Sequence, residues 1–152
     1  YDAASHQMRM LNAAAVPIMQ KYGVRAATDV TGFSLMGHAY KMARASKVSI
    51  KLHSQALPVL PYVASLIDMG CIPGAAFSNR ASAGEHCFIV PDVPRWFTSL
   101  LYDPQTSGGI LMAVDSTLAP QAINELKSAG YEHTAAVGEV IEQTDRGAVL
   151  CL

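Results

Sequence analysis

Apolar residues recur three and four positions apart along much of the chain, a spacing that predicts helices. The first such segment runs from Met8 to Tyr22 and is followed by Gly23, a residue suited to a helix end. Pro17 lacks a backbone N–H, so we expect this helix to be kinked, or split near Ala14. Further helices are predicted at 33–43, 60–67, 94–101 and 118–126, with stops at Gly70 and Gly130 and a cap from Ser116.

Shorter apolar runs between these segments predict strands. The run 110–114 is continuously apolar, as in fully buried strands, whereas 48–52 alternates apolar and polar residues, as in half-buried ones. Residues 135–142 and 148–152 flank the turn sequence Thr-Asp-Arg-Gly and predict a hairpin. Two more strands are predicted at 24–28 and 86–90.

The order of these elements and the length of the chain predict one domain. Helices and strands alternate irregularly, which favours an α+β fold with a mixed β-sheet and helices packed against it. The 152 residues fit a single domain, residues 1–152. The chain starts at Tyr1 rather than at a methionine, so we expect it to be part of a longer protein.

One segment, residues 71–85, has no clear apolar period and is rich in turn-forming residues such as Pro73 and Gly74. It predicts a long loop, and loops of this length are usually functional or mobile. Asn79 and Arg80 within it are candidates for contacting a phosphate, although a lone arginine in a loop is usually just solvated.

Composition excludes several classes of protein. Hydrophobic residues make up 51% of the chain and charged residues 15%, which argues against disorder. The formal net charge of -1 gives no basic footprint for nucleic acid, and no apolar run reaches the roughly 18 residues of a membrane helix. We therefore expect a cytoplasmic protein that binds neither nucleic acid nor a membrane.

The three cysteines, Cys71, Cys87 and Cys151, are odd in number and lack Cys-x-x-Cys spacing. This pattern argues against a disulfide framework and against a zinc site. We expect reduced and mostly buried thiols.

The first stretch with candidate chemistry is Thr-Asp-Val-Thr-Gly at 28–32, where a strand end delivers Asp29 to a turn and Gly32 permits close approach of a ligand. Magnesium is typically held by one or two carboxylates plus substrate phosphates, so Asp29 fits part of such a site. The alternative is that Asp29 or Thr31 only caps the following helix. Spacing alone leaves both readings open.

The same stretch superficially resembles a phosphate-binding P-loop, because Gly32 and Gly37 have the required separation. His38 and Ala39, however, replace the lysine and the magnesium-binding hydroxyl of that motif, so a P-loop is excluded. We expect His38 to be a helix residue whose ring is satisfied by local partners.

A second candidate stretch, Asp103 to Gly109, is dense in turn-forming residues. Its hydroxyls and glycine N–H groups suit an anion cradle, and its composition equally suits a tight connection into the next strand. Elsewhere the sequence contains no nucleophile beside a base, no paired carboxylates and no dinucleotide-binding glycine motif, so we assign no catalytic residue. The residues alone describe half of a site.

Three stretches in order, AATDVTGFSLMGHA at 26–39, GCIPGAAFSNR at 70–80 and LYDPQTSGGILMAV at 101–114, together resemble a known family. They are similar to the C-terminal domain of the selenophosphate synthetases (selenide, water dikinases), within the superfamily of aminoimidazole ribonucleotide synthetase. The similarity extends to residues 130–138 and so covers nearly the whole chain.

The resemblance implies an α+β C-terminal domain that works beside an N-terminal ATP-binding domain, which is absent from this chain, in a protein that forms a homodimer through the latter. The implied reaction converts ATP, selenide and water into selenophosphate, AMP and orthophosphate with Mg²⁺ as cofactor. By motif, Asp29 corresponds to the acid that joins aspartates of the N-terminal domain in binding magnesium near the phosphates. Residues expected near the phosphates are Thr28, Thr31, Gly32, Thr106, Ser107, Gly108 and Gly109.

The resemblance also implies that the chain alone is inactive. The reactive cysteine or selenocysteine of the family, its neighbouring lysine and the ATP loop belong upstream, so the three cysteines here are not that nucleophile. We expect an open apolar surface where the other domain docks. One position departs from the family, which usually has Gly-Phe-Gly where this chain has Gly32-Phe33-Ser34, and serine narrows the backbone freedom of that turn.

Two alternatives stay open at this stage. One is the same domain in a related ATP-dependent synthetase, kinase or maturation protein with another small-molecule substrate. The other is a freestanding anion-binding module. The joint occurrence of the 27–33 and 103–109 motifs argues against the first.

Overall fold

Helices and strands alternate along the chain in the computed structural model, which describes residues 1–145 and 148–152. The helices are α1 (Asp2–Arg9), α2 (Ala15–Lys21), α3 (Ser34–Ser46), α4 (Val63–Asp68), α5 (Gly74–Ala83), α6 (Arg95–Leu101) and α7 (Ala119–Ser128). The strands are β1 (Ala26–Asp29), β2 (Ser49–Leu52), β3 (Cys87–Ile89), β4 (Ile110–Ala113), β5 (Gly138–Ile141) and β6 (Val149–Cys151).

The described strands form two sheets. In the smaller one, β1 and β4 pair antiparallel with Asp29 opposite Ile110. The larger sheet has the order β3-β6-β2-β5, in which β2 is parallel to β6 and antiparallel to β5. This confirms the predicted mixed sheet of an α+β fold, and the separate two-stranded sheet adds to it.

Helix α3 forms the centre of the main core. Its residues Met36, Ala39 and Ala43 are fully buried, at 0% exposure, and burial of such apolar surface is the main stabilising contribution to the fold. Because α3 is held in the core, the turn between Asp29 and the start of α3 is held in place at its C-terminal end. The cluster also contains Ile50 and Leu52 of β2, Val149 and Cys151 of β6, and Phe97 and Leu101 of α6.

A second, smaller core holds the two-stranded sheet. Ala15 and Ile18 of α2 and Leu126 of α7 are buried together, and Ile110 and Met112 of β4 pack against them. On the surface of this cluster Glu125 accepts hydrogen bonds from Lys21 Nζ at 2.6 Å and from Tyr22 Oη at 2.9 Å. These contacts tie α2 to α7.

The predicted helix break and helix ends are present in the structure. A 3₁₀ turn at Asn12–Ala14 separates α1 from α2, which confirms a split near Ala14, but α1 starts at Asp2 rather than at the predicted Met8. Gly23, Gly70 and Gly130 have φ values of 63°, 87° and 100°, the left-handed conformation that ends a helix and that glycine adopts freely.

The long loop predicted at 71–85 is wrong, since most of it is helix α5. The buried face of α5 consists of Ala76, Asn79 and Ala83, which lie three and four positions apart. Two small residues and an amide give a weak hydrophobic signal, so the helical period was not evident.

The predicted C-terminal hairpin is also wrong. β5 and β6 are not neighbours, because β2 lies between them and pairs with both. Of the predicted turn, Thr144 and Asp145 are described, and positions 146 and 147 lie outside the described residues.

Two burial predictions fail for reasons of sheet position. Ser49 is fully buried instead of facing solvent, because β2 is a central strand, and its Oγ accepts the Thr144 N–H at 3.0 Å. The four residues of β4 are only partly buried, because within the described residues this strand pairs with β1 alone.

The cap predicted at Ser116 is wrong, because the N-cap position of α7 is Leu118 and no side chain caps it. In the turn before the helix, the carboxylate of Asp115 accepts hydrogen bonds from the N–H and the hydroxyl of Thr117, at 2.9 and 2.6 Å. These bonds lower the pKa of Asp115. None of the helices in the described part of the chain is long and apolar enough to cross a bilayer.

Candidate functional site

Asp29 ends strand β1 with an exposed side chain. The alternative in which Asp29 or Thr31 caps helix α3 is wrong, because the N-cap position is Phe33 and the first-turn N–H of Gly37 donates to Ser34 Oγ instead. The Asp29 carboxylate is therefore not used to stabilise the helix, and Asp29 lines an open cleft.

The cleft is formed by three segments and has a volume of about 290 Å³. Asp29, Val30 and Thr31 form one wall, the turn 106–109 forms another, and the segment between α1 and α2 contributes Met10 and its neighbours. The two motifs of the sequence, some eighty positions apart, thus share one surface because β1 and β4 pair.

The turn after Asp103 is bonded directly to the backbone around Asp29. Val30 N–H donates to the Gly109 carbonyl at 2.9 Å, and Gly108 N–H donates to the Val30 carbonyl at 2.9 Å. Gln105 N–H donates to the Thr31 carbonyl at 3.1 Å. These bonds extend the β1–β4 pairing past its ends, so the turn and Asp29 form one rigid unit.

Two glycines of this turn have a geometric reason. A Cβ on Gly108 would lie 2.7 Å from the carbonyl oxygen of Val30, closer than real Cβ contacts allow. Gly109 has a φ of 77°, which side chains rarely adopt. The reading as a tight connection is therefore correct for this pair.

The open side of the same turn retains donors. No described residue accepts a hydrogen bond from the backbone N–H of Thr106 or of Ser107, and both residues line the cleft. With their hydroxyls, these N–H groups can donate to an anion. The tight connection is thus present in this turn, and the anion cradle stays a prediction.

Two of the predicted site residues do not line the cleft. The Thr28 hydroxyl donates to the Asp29 carbonyl at 2.9 Å and contacts His38 Nδ1 at 3.2 Å. The Gly32 carbonyl accepts a hydrogen bond from Asn79 Nδ2 at 2.9 Å, and a Cβ on Gly32 would meet no atom within 4 Å. The predicted residues that do line it are Asp29, Thr31, Thr106, Ser107, Gly108 and Gly109.

Asn79 has a structural role rather than the phosphate contact considered from the sequence. Its buried amide nitrogen donates to the carbonyls of Gly32, at 2.9 Å, and Tyr102, at 3.1 Å. Both N–H donors are thereby used, so the amide ties the turn before α3 to the end of α6. Arg80 is exposed and does not line the cleft.

His38 lies beneath the Asp29 turn with 9% of its surface exposed. Its Nε2 lies 3.2 Å from both the backbone N and the Oγ1 of Thr31, and its Nδ1 lies 3.2 Å from Thr28 Oγ1. The expectation of local satisfaction is confirmed. Burial lowers the pKa of His38, the positive charge of Lys41 lowers it further, and the charge of Asp29 partly opposes this.

The Gly-Phe-Ser sequence before α3 has a conformational cost. Ser34 adopts a φ of 68°, a left-handed value at the position where the family usually has glycine. Its fully buried Oγ accepts the Gly37 N–H at 3.3 Å. The serine at this position therefore strains the backbone.

Magnesium fits this cleft only if ligands from outside this chain also bind the ion. Within residues 1–145 and 148–152, no group of three histidine, cysteine or acidic side chains is placed to hold a metal ion. One carboxylate beside hydroxyl groups can supply one corner of a magnesium–phosphate site and no more.

A larger open pocket, of about 400 Å³, lies elsewhere, beside the C-terminal half of α3. Arg44 and Lys47 line it together with Glu85 and Asp145, and none of the predicted site residues does. Its opposed charges give it no evident preference for an anion or a cation, so the Asp29 cleft remains the candidate site.

The family of the chain follows from comparison with known proteins. The family model of the AIR synthase related protein, C-terminal domain, matches residues 2–150. The chain belongs to this family.

Several similar curated proteins share the name selenide, water dikinase. A selenide, water dikinase of Porphyromonas gingivalis (strain W83) is 47% identical over 137 residues, which is 90% of this chain and 39% of that protein. The selenide, water dikinase of Pelobacter propionicus is 40% identical over 136 residues, 90% of this chain and 39% of that protein. These matches confirm the resemblance inferred from the motifs, and the chain spans about two fifths of the length of these relatives.

A solved structure supports the fold alone. The crystal structure of a HypE–HypF complex contains a chain that matches with a TM-score of 0.59 and 20% sequence identity, over 83% of this chain and 33% of that one. At this identity the likeness confirms the AIR synthase-like fold and says nothing of chemistry.

Proposed function

We propose that this chain is the C-terminal domain of a selenide, water dikinase, which converts ATP, selenide and water into selenophosphate, AMP and orthophosphate. In this proposal the chain works beside an N-terminal ATP-binding domain of a cytoplasmic homodimer. The name shared by relatives at 40–47% identity supports it. The matches cover 90% of this chain and 39% of each relative, which leaves room in those proteins for a further domain.

One observation carries the proposal: a single carboxylate, that of Asp29, shares the cleft with Thr106 and Ser107, whose N–H groups donate to no described residue. Such a lining is what one half of a shared magnesium–phosphate site would present. A phosphate-bound magnesium ion needs ligands on several sides, and Asp29 supplies one of them. The others then come from the domain that binds ATP.

The chain's own residues have two tasks in this proposal. Asp29 would hold one side of Mg²⁺, which when bound supplies positive charge against the phosphates, the main requirement of phosphoryl transfer. Thr106 and Ser107 would donate hydrogen bonds to phosphate oxygens and fix their orientation. Neither task includes a nucleophile or a base, so this chain alone is proposed to be inactive.

A hybrid enzyme tests the proposal. The segment of the Porphyromonas gingivalis dikinase that matches this chain is replaced by this chain, and AMP formation from ATP is measured with and without selenide. We expect selenide-dependent AMP formation by the hybrid and none by this chain alone. A folded hybrid no more active than the same dikinase lacking the segment would contradict the proposal, as would AMP formation by the isolated chain.

A further inference from the structure

His38 contacts the chain on both sides of Asp29. One ring nitrogen, Nε2, lies 3.2 Å from the backbone nitrogen of Thr31, and the other, Nδ1, lies 3.2 Å from the hydroxyl of Thr28. The Thr28 hydroxyl donates in turn to the carbonyl of Asp29 at 2.9 Å. The imidazole therefore spans the segment that presents the carboxylate to the cleft.

These contacts determine the proton positions on the ring. A backbone N–H can only donate, so Nε2 of His38 must accept and carries no proton. The neutral ring then has its proton on Nδ1, which donates to Thr28 Oγ1. In this tautomer Nδ1 donates to the Thr28 hydroxyl, which donates to the Asp29 carbonyl, and Nε2 accepts from the Thr31 N–H. The other tautomer would place a proton on Nε2, facing the Thr31 N–H.

The ring is fixed from behind by the main core. His38 lies on α3 between Met36 and Ala39, two residues with 0% exposure, so its backbone cannot shift without disturbing the core. Within residues 1–145 and 148–152, His38 is the only side chain that hydrogen-bonds to the hydroxyls of Thr28 and Thr31.

We propose that His38 is a positioning residue, which holds the backbone on both sides of Asp29 so that its carboxylate is directed at the metal and phosphates in the shared site. The metal part of this inference rests on the proposed function. The histidine contacts neither metal nor substrate. Residues that orient a metal ligand typically change metal affinity about 10- to 100-fold when they are lost.

The first test measures amide hydrogen exchange by NMR in this chain. In His38→Leu we expect the Thr31 amide to exchange at least about ten-fold faster, with the Ala43 amide of the same helix unchanged as the control for global stability. His38→Gln places an amide oxygen where Nε2 accepts, so it should retain most of the protection. Unchanged exchange at Thr31 in the Leu variant would overturn the inference.

The second test measures Mn²⁺ binding to the hybrid enzyme with a nonhydrolysable ATP analogue by electron paramagnetic resonance. We expect the dissociation constant to rise about ten-fold in His38→Leu and to stay near the unsubstituted value in His38→Gln. Equal effects of the two substitutions, or faster Thr31 exchange without weaker Mn²⁺ binding, would overturn the positioning role. Neither measurement needs turnover. An unsubstituted hybrid that makes no AMP therefore counts against the proposed function, while the exchange and Mn²⁺ measurements still decide the positioning role of His38.

Discussion

The backbone N–H of Gly108 donates to the carbonyl oxygen of Val30 at 2.9 Å, one residue beyond Asp29. This bond joins the two motifs of the site, and a Cβ at position 108 would lie 2.7 Å from the same oxygen. The contact leaves no room for a side chain, because both partners are backbone atoms that cannot rotate away.

Gly108→Ala is therefore expected to be destabilising. Overpacking of this kind costs about 1–3 kcal/mol, which denaturant unfolding of the variant and the unsubstituted chain would measure. Gly32→Ala is the matched control, since a Cβ there meets no atom within 4 Å, and a change of no more than about 0.5 kcal/mol is expected. Equal stability of the two variants would show that the turn does not sit as closely against Val30 as described.

Asn79 provides a second test, of how the turn before α3 is held. Asn79→Leu leaves the carbonyls of Gly32 and Tyr102 without their donor. Tyr102 is buried, and an unsatisfied buried carbonyl costs about 1–3 kcal/mol. We expect a marked fall in the free energy of unfolding. Ser78→Ala, at an exposed neighbour on the same helix, should change it by no more than about 0.5 kcal/mol. A mild effect at position 79 would mean that water replaces the amide.

The pH dependence of stability should reflect His38. Burial lowers its pKa in the folded state, so the folded protein favours the neutral ring. Its contribution to stability is then fully present above the unfolded pKa of about 6.5 and is lost as the pH falls through the lower folded value. Unfolding free energies measured from pH 8 to pH 5 should fall more steeply in the unsubstituted chain than in His38→Gln. Parallel curves would contradict this account of the ring.

Thiol reactivity should divide the three cysteines. Burial raises the pKa of Cys87 to about 12 and that of Cys151 to about 11, whereas Cys71 is exposed. Because the thiolate is the reactive form, iodoacetamide at pH 8 should label Cys71 well before the other two. Peptide mass spectrometry over time gives the three rates, with Cys71→Ser as the control. Fast labelling of Cys151 would show that its core opens readily.

The local elements of the fold were largely predictable from the sequence, and the pairing of distant strands was not. The glycines at 23, 70 and 130 fix helix ends through their own φ angles, so a short window of sequence suffices. The position of β2 between β5 and β6 depends on contacts some ninety residues apart, which a turn sequence near 144 does not encode. Helix α5 was missed because its buried face is small and polar.

The site shows the same division. The sequence and its resemblance to a family singled out Asp29 and the 106–109 turn, and the structure brings both into one cleft. The sequence could not indicate that the Thr28 hydroxyl contacts His38, because a single histidine on a helix forms no recognisable spacing pattern with another residue. That relationship depends on where α3 packs under the strand end.

Apolar side chains remain exposed on several surfaces, among them Tyr62 at 80%, Met69 at 77% and Phe77 at 65%. Such residues are consistent with the expected docking of another domain. The identity of the surface that docks stays a prediction, which crosslinking within the hybrid enzyme would test.

The most direct test of the account is the metal dependence of the hybrid enzyme with Asp29→Asn. The amide keeps the shape of the side chain and removes its charge, so we expect the magnesium concentration for half-maximal AMP formation to rise about ten-fold or more. Asp92→Asn, at an exposed acid that does not line the cleft, should leave it unchanged. The same magnesium dependence in all three proteins would contradict the claim that Asp29 completes a shared metal site.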